Sequence, residues 1–342
     1  MDKLLQTLLD TAGISGYEKE VAQIMKKELK KCSENVFEDN FGNVIAQKGK
    51  GKKKIMLAAH MDEIGLLVKH ISKEGFLYFI KVGGIDDRIL LGQRVIIKSA
   101  KGDVKGVIGA KPPHLSKEED RKNAIKYTDL FIDIGAKDKD EAQKRVSVGD
   151  AIVFDCPSFV LNGQLICGKA VDNRVGCYAL IKIMEKLSCS ATVYAVATVQ
   201  EEVGLKGART SSFRIAPDFA LALDTTSAGD TPGIKETESS LKLGGGVAIT
   251  IMEAAGRGVI VSENVRNLCI ETAKKHKIKY QIDVLEGGMT DAAMIYMNRE
   301  GIPTAVLSIP CRYVHAPTAV FDLQDLRSAI DLSIKIIERV IG

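Results

Sequence analysis

After Leu165 the chain alternates helix-period segments with short apolar strand-like runs, and this alternation limits the fold more than any other feature of the sequence. The segments read as helix 174–187, strand 191–199, helix 205–212, strand 219–224, strand 247–252, helix 262–276, strand 279–285, helix 290–299, strand 303–309 and helix 323–340. Such an order buries a sheet against helices, so the class is α/β. The 342 residues exceed a typical single domain and allow for a second unit.

That second unit interrupts the first. Helices are expected over 2–12 and 17–31, divided by the Gly13–Gly16 break, and are followed by strands 43–47 and 55–59. From about residue 70 to 162 the pattern changes to short alternating strands, 76–82, 93–99, 104–110, 129–134 and 151–154, with turn residues between them and one short helix over 139–145. The expected division is therefore a discontinuous α/β domain, 1–69 and 163–342, holding a small β-rich domain of residues 70–162. A polar stretch from Ser116 to Lys126 reads as a loop of that insert.

Composition removes several classes of function. With 45% hydrophobic and 27% charged residues, the chain is neither disordered nor a membrane protein. Its net charge of +4 is spread over scattered lysines, and the densest basic run, Gly49 to Lys54, contains the glycines of a tight turn, so no nucleic-acid partner is expected. Leu4, Leu5, Leu8 and Leu9 are interrupted by Asp2, Gln6 and Asp10, unlike an export signal, and the apolar runs are strand-sized. The seven cysteines show no C-x-x-C pair and sit mostly in apolar segments, as reduced side chains do. A soluble, cytoplasmic protein is the expectation.

The metal-capable side chains fall at the carboxyl ends of apolar runs. His60 follows Ile55–Ala59, Asp172 follows Leu165–Cys167, Glu201 and Glu202 follow Thr192–Val199, Asp224 follows Phe219–Leu223, and His315 follows Val306–Ile309. In open α/β sheets that edge is where ligand sites form. Two imidazoles with several carboxylates and no thiolate motif suit zinc, cobalt or manganese. One catalytic zinc takes about three protein ligands. Five ligands and a spare glutamate better suit two ions about 3.5–4 Å apart, with Asp172 as the bridging carboxylate.

Each position also has a plainer reading. Asp172-Asn173 makes a good helix N-cap, a Glu-Glu pair is usually solvated, and His60 after two alanines resembles a satisfied core histidine. His70 and His276 lie in lysine-bearing patterns, and His114 follows two prolines in a loop. Cys311 precedes His315 by four residues, but no catalytic-cysteine signature surrounds it. The run Gly244-Gly245-Gly246 lacks the residues of a phosphate-binding loop.

Six motifs in order, however, resemble one family along essentially the whole chain. They are Ala59-His60-Met61-Asp62-Glu63-Ile64-Gly65, Gly168 to Arg174, Gln200-Glu201-Glu202-Val203-Gly204, Ala222-Leu223-Asp224, Gly287-Gly288-Met289-Thr290-Asp291-Ala292 and Val314-His315-Ala316-Pro317. The family is that of the M42 metallo-aminopeptidases, which includes glutamyl aminopeptidases, tetrahedral peptidases and some members labelled endoglucanase. The resemblance implies a mixed-sheet core with helices on both faces, an inserted PDZ-like or barrel dimerisation domain, and dimers that assemble into dodecamers. It also implies two Zn2+ or Co2+ ions per subunit, one on His315, Glu202 and Asp172 and the other on His60, Asp224 and the bridging Asp172. Glu201 would be the general base, and Asp62 would steady the His60 imidazole. Asn173, where the motif often has a second aspartate, and the extra Met289 are departures that touch no ligand.

The chemistry implied is removal of the N-terminal residue from peptides, by water that a metal activates and Glu201 deprotonates. A deacylase or dipeptidase could use the same scaffold. Glycoside hydrolysis by paired carboxylates is a further reading, set against the absence of tryptophan and the 5% aromatic content. A non-catalytic binding protein would have no use for the full ligand set. The preferred N-terminal side chain, the metal and the assembly size are not legible in the sequence.

Overall fold

The computed structural model describes residues 1–112, 114, 124–188 and 190–342. The loop expected over Ser116 to Lys126 therefore lies outside the described residues, except for its last three positions.

Two helices, α1 (Lys3–Asp10) and α2 (Lys19–Leu29), lead into β1 (Asn35–Glu38), β2 (Val44–Lys48) and β3 (Lys54–His60). A barrel unit follows, made of β4 (Gly65–Ile71), β5 (Leu77–Val82), β6 (Arg94–Ser99), β7 (Gly102–Gly109), β8 (Phe131–Asp133), α3 (Lys139–Arg145) and β9 (Ala151–Phe154). The chain then returns through β10 (Phe159–Asn162), β11 (Leu165–Gly168), α4 (Val171–Lys186), β12 (Thr192–Thr198), α5 (Lys206–Ile215) and β13 (Phe219–Ser227). It ends with β14 (Val247–Met252), α6 (Glu263–Lys275), β15 (Tyr280–Val284), α7 (Ala292–Ile295), β16 (Thr304–Arg312), β17 (Ala319–Asp322) and α8 (Leu323–Ile341).

Eleven strands form one mixed sheet in the order β1-β2-β12-β3-β13-β16-β17-β11-β10, with β14 beside β16 and β15 beside β14. The central ladders β12–β3, β3–β13 and β13–β16 are parallel. Side-chain alternation explains the layers. Ile55, Leu57 and Ala59 of β3 enter the main core with α1, α2, α4, α6 and α8, while Met56 and Ala58 face the opposite cluster with α5 and α7. Strands buried on both faces read as continuous apolar runs, which is why β3, β12, β13 and β16 were legible.

The second unit is a closed six-stranded barrel, β4-β5-β8-β7-β6-β9. Leu66 and Val68, Leu77 and Phe79, Val95 and Ile97, and Ile152 and Phe154 alternate inward to fill it. Periodicity did not predict β1, β4, β10 or β17, each of which is short or mixed in exposure.

The helix expected over 290–299 is confined to Ala292–Ile295. Thr290 is held by Glu253, the chain after Ile295 runs through single turns, and Arg299 sits at φ +57°, outside helical geometry. No described helix is long and apolar enough to cross a membrane.

Candidate metal centre

The parallel pairings turn the carboxyl ends of β3, β12, β13 and β16 to one edge of the sheet, and two antiparallel steps through β17 bring the end of β11 to the same edge. All five candidate ligands and Glu201 line one cavity of about 530 Å³ there. His60 is the last residue of β3, whereas Asp224 lies inside β13, which runs three residues further than the expected strand 219–224.

Asp172 is central to the arrangement. Its Oδ1 lies 3.2 Å from His60 Nε2 and its Oδ2 lies 3.4 Å from His315 Nε2, so each oxygen faces a different imidazole. Asp172 does not cap the helix. Asn173 does, accepting a hydrogen bond from Gly176 N at 3.1 Å and donating to Leu223 O at 2.8 Å, which leaves the Asp172 carboxylate to the cavity. Around His60 Nε2 stand Asp224 at 3.6 Å and Glu201 at 3.9 Å, while Glu202 lies 3.4 Å from His315 Nε2.

Asp62 organises this cluster from beneath. It is fully buried, and its Oδ1 accepts from Glu201 N at 3.0 Å, while its Oδ2 accepts from Glu202 N at 3.1 Å and from Ser15 Oγ at 2.6 Å. His60 Nδ1 is 3.0 Å from the Asp62 carbonyl oxygen, which leaves Nε2 for the cavity. Gln200, at φ +56°, makes the bend that turns the two glutamates inward, and its N–H donates to Glu18.

Three features of the site have no counterpart in single-residue reasoning. The first is a buried network in which Lys169 Nζ reaches Glu63 at 2.6 Å and Arg174 donates to the carbonyls of Met61, Leu8, Thr11 and Gly13. It clamps the start of the chain to the loop after His60. The second is the Gly83–Gly84 pair leaving the barrel: a Cβ on Gly84 would stand 3.0 Å from His315 Nδ1, and one on Gly83 would stand 3.2 Å from Glu202 Oε2. The third is Asp291, buried and accepting from Thr198 Oγ1 at 2.5 Å. Glu63, Lys169, Arg174 and Asp291 all sit inside the sequence motifs, which was the available signal.

The electrostatics are those of crowded carboxylates. Burial pushes Glu202 up to about 8, with Asp172 adding to the rise, and pushes Asp224 up to about 6 despite the opposing pull of His60. Glu201 is raised well above the usual carboxylate range by burial and by its acidic neighbours Asp224, Asp291 and Glu202. Burial opposes ionisation of Asp172 too, but hydrogen bonds from His315 and His60 outweigh it and hold that carboxyl low. His315 rises to about 9 against burial, through Asp172 and Glu202.

This donor set fits cations. Asp172, Glu201, Glu202 and Asp224 converge with only two imidazoles, and among the described residues no lysine or arginine lines the cavity. Glu202 Oε1 is buried without a hydrogen-bond partner. Uncompensated buried acids cost several kcal/mol each, and a bound divalent ion removes that cost. Two ligand groups have donor atoms within 4.8 Å of one another, His60 with Glu201 and Asp224, and His60 with Asp172 and Glu202. These groupings cut across the sets implied by the resemblance, because Glu201 stands as close to His60 and Asp224 as a ligand would.

Comparison with known proteins gives the lineage. Residues 42–332 match the family model described as M42 glutamyl aminopeptidase. The chain belongs to the M42 family. This enzyme is a peptide hydrolase, an aminopeptidase. The lysyl aminopeptidase of Pyrococcus furiosus is 34% identical over 99% of this chain and 97% of its own. The crystal structure of a TET aminopeptidase from a marine-sediment Thaumarchaeota archaeon is 40% identical, with a TM-score of 0.96 over 99% of this chain and 96% of its own. The TET1 peptidase of Pyrococcus horikoshii, which assembles into a tetrahedron or a large octahedral shell, is 37% identical with a TM-score of 0.89 over 98% of both chains.

Proposed function

We propose that this M42 enzyme is a co-catalytic di-metal aminopeptidase that removes the N-terminal residue of peptides, with Glu201 as general base. The observation that carries this reading is the division of Asp172, one oxygen toward His60 and the other toward His315. A carboxylate so placed suits the bridge between two ions. One would be held by His60, Asp224 and Asp172, the other by His315, Glu202 and Asp172. When bound, the pair, zinc or cobalt, supplies Lewis acidity to the scissile carbonyl and lowers the pKa of water.

The protein's own groups do the rest. Glu201 takes one proton from the attacking water as the C–O bond forms, and returns it to the leaving amine as the C–N bond breaks. Glu201 lines the cavity among these ligands, 3.9 Å from His60 Nε2, where a base for that water must stand. With the ions in place a substrate's free amine would be anchored beside them, which would restrict cleavage to the first residue. Asp62 holds the backbone of both glutamates, so Glu201 stays within reach of the reacting atoms.

In this reading the mixed-sheet unit is the catalytic domain and the barrel the dimerisation insert; the bounds 70–162 expected from the sequence move to Gly65 and Phe154, because β4 already belongs to the barrel and β10 already belongs to the main sheet, and dimers build a dodecamer, supported by the assembly of the tetrahedral relative. The six described cysteines are all free, in keeping with a cytoplasmic site of action. The test is hydrolysis of aminoacyl-p-nitroanilides by protein stripped of metal and reloaded with zinc or cobalt, beside an N-acetylated control. Cleavage of free-amine substrates alone, restored by metal, is expected. Cleavage of the acetylated control would favour a deacylase instead. Glu201→Gln should retain zinc and lose about 10²–10⁴-fold in kcat; an active variant would remove Glu201 from the role.

A further inference from the structure

The cavity is lined by two kinds of residue. One kind is the candidate ligands with Glu201. The other is uncharged, with Leu205, Leu285, Met289 and Val314 beside the hydroxyl residues Thr225, Thr226, Ser227 and Thr290, and the segment from Leu285 to Thr290 supplies much of this wall; among the described lining residues every ionisable group belongs to the ligand set or is Glu201.

Two of those hydroxyls are turned away from the cavity. Thr226 Oγ1 donates to Asp283 at 2.8 Å, and Thr290 Oγ1 donates to Glu253 at 2.6 Å. Neither acid lines the cavity; Asp283 is 5% exposed and Glu253 is 0% exposed. At Thr226 and Thr290 the wall therefore presents methyl groups, backed by two buried carboxylates. Gly287 and Gly288 line the cavity, are exposed, and a Cβ on either would meet nothing within 4 Å, so no side chain narrows the cavity there.

We propose that this wall selects peptides whose N-terminal residue is uncharged and aliphatic, leucine or methionine in size, through contact with Leu285, Met289 and Val314. The inference rests on the aminopeptidase reading above. Among the described lining residues an N-terminal glutamate side chain would meet no lysine or arginine, and it would approach the buried Asp283 and Glu253. Among the described lining residues an N-terminal lysine would find no carboxylate outside the ligand set and Glu201, since Asp283 and Glu253 are buried behind Thr226 and Thr290 and do not line the cavity. Either charge would give up its water without a partner.

The test compares kcat/KM of the zinc- or cobalt-loaded enzyme on leucyl, methionyl, lysyl and glutamyl p-nitroanilides. Leucyl or methionyl should exceed lysyl and glutamyl by about 100-fold, the discrimination an uncompensated charge imposes. A first rank for lysyl or glutamyl overturns the proposal. Calorimetric titration with free L-leucine, L-lysine and L-glutamate reads the wall without turnover. If leucine binds tightest while no substrate is cleaved, the peptidase reading fails and the wall chemistry stands. If leucine binds no tighter than glutamate, the proposal fails alone. Met289, half-exposed at the wall, allows a positive charge to be introduced without disturbing the core. Met289→Arg should raise the glutamyl-to-leucyl ratio at least about tenfold, and an unchanged ratio removes Met289 from the selection.

Discussion

Replacing Asp62 by asparagine probes how far the site depends on one carboxylate that never faces substrate. Asp62 accepts three hydrogen bonds, from Glu201 N at 3.0 Å, Glu202 N at 3.1 Å and Ser15 Oγ at 2.6 Å. An asparagine has one oxygen for these three donors, and its NH2 must confront an N–H or a hydroxyl. The less costly orientation turns the amide nitrogen to Glu201, losing one charge-assisted bond worth about 1.5–3 kcal/mol and weakening the other two to neutral strength. A total near 3 kcal/mol corresponds to about 100-fold in turnover or zinc affinity. The assay is kcat/KM on the best p-nitroanilide together with zinc affinity by chelator competition, at a temperature where circular dichroism shows the variant folded. Activity and affinity both within about threefold of the parent would refute the view that Asp62 sets the glutamate pair.

Three further outcomes follow from the geometry. Gly84→Ala places a Cβ 3.0 Å from His315 Nδ1 and should lower kcat sharply while leaving Tm within a few degrees; normal turnover would show that His315 moves freely. Among themselves the side chains hold His315 up to about 9 and Glu202 up to about 8, so at about pH 6 both carry protons that a cation must displace. Zinc affinity of the stripped protein should therefore tighten at least about tenfold as pH rises from about 6 to about 8, with proton release measurable by calorimetry in buffers of different ionisation enthalpy; a flat profile contradicts the assignment. Lys169→Met leaves the buried Glu63 without its 2.6 Å partner and should cost about 3–5 kcal/mol in urea denaturation, most of it recovered by adding Glu63→Leu; a loss under about 1 kcal/mol would show that the pair is not essential.

The convergence of the candidate ligands was legible because it depends on strand ends. An apolar run buried on both faces announces β3 or β13, and the polar residue at its close stands out. What Asp172 does was not legible, since Asp and Asn are both cap residues and only the structure shows Asn173 capping. The orientation of the glutamate pair depends on Gln200 adopting a positive φ, which no residue preference foretells. Gly83-Gly84 reads locally as an ordinary turn, and its contacts with Glu202 and His315 arise from barrel placement, a tertiary fact. Glu253 and Asp283 stayed hidden for a similar reason: their threonine partners are distant in sequence and lie on other elements.

The strand order also dictates when a newly made chain can become dangerous to its surroundings. β3 emerges early, yet both of its neighbours, β12 and β13, are encoded far downstream, beyond the whole barrel, and β16, which leads to His315, comes later still. The centre of the sheet must wait for long-range pairing, the slow part of such topologies. A ribosome stalled before Thr304 therefore releases a polypeptide carrying four carboxylates and one imidazole but no second imidazole to complete the pair. On the di-metal reading proposed above, peptidase activity would arrive only with the last part of translation, and fragments ending before Thr304 should cleave no peptide.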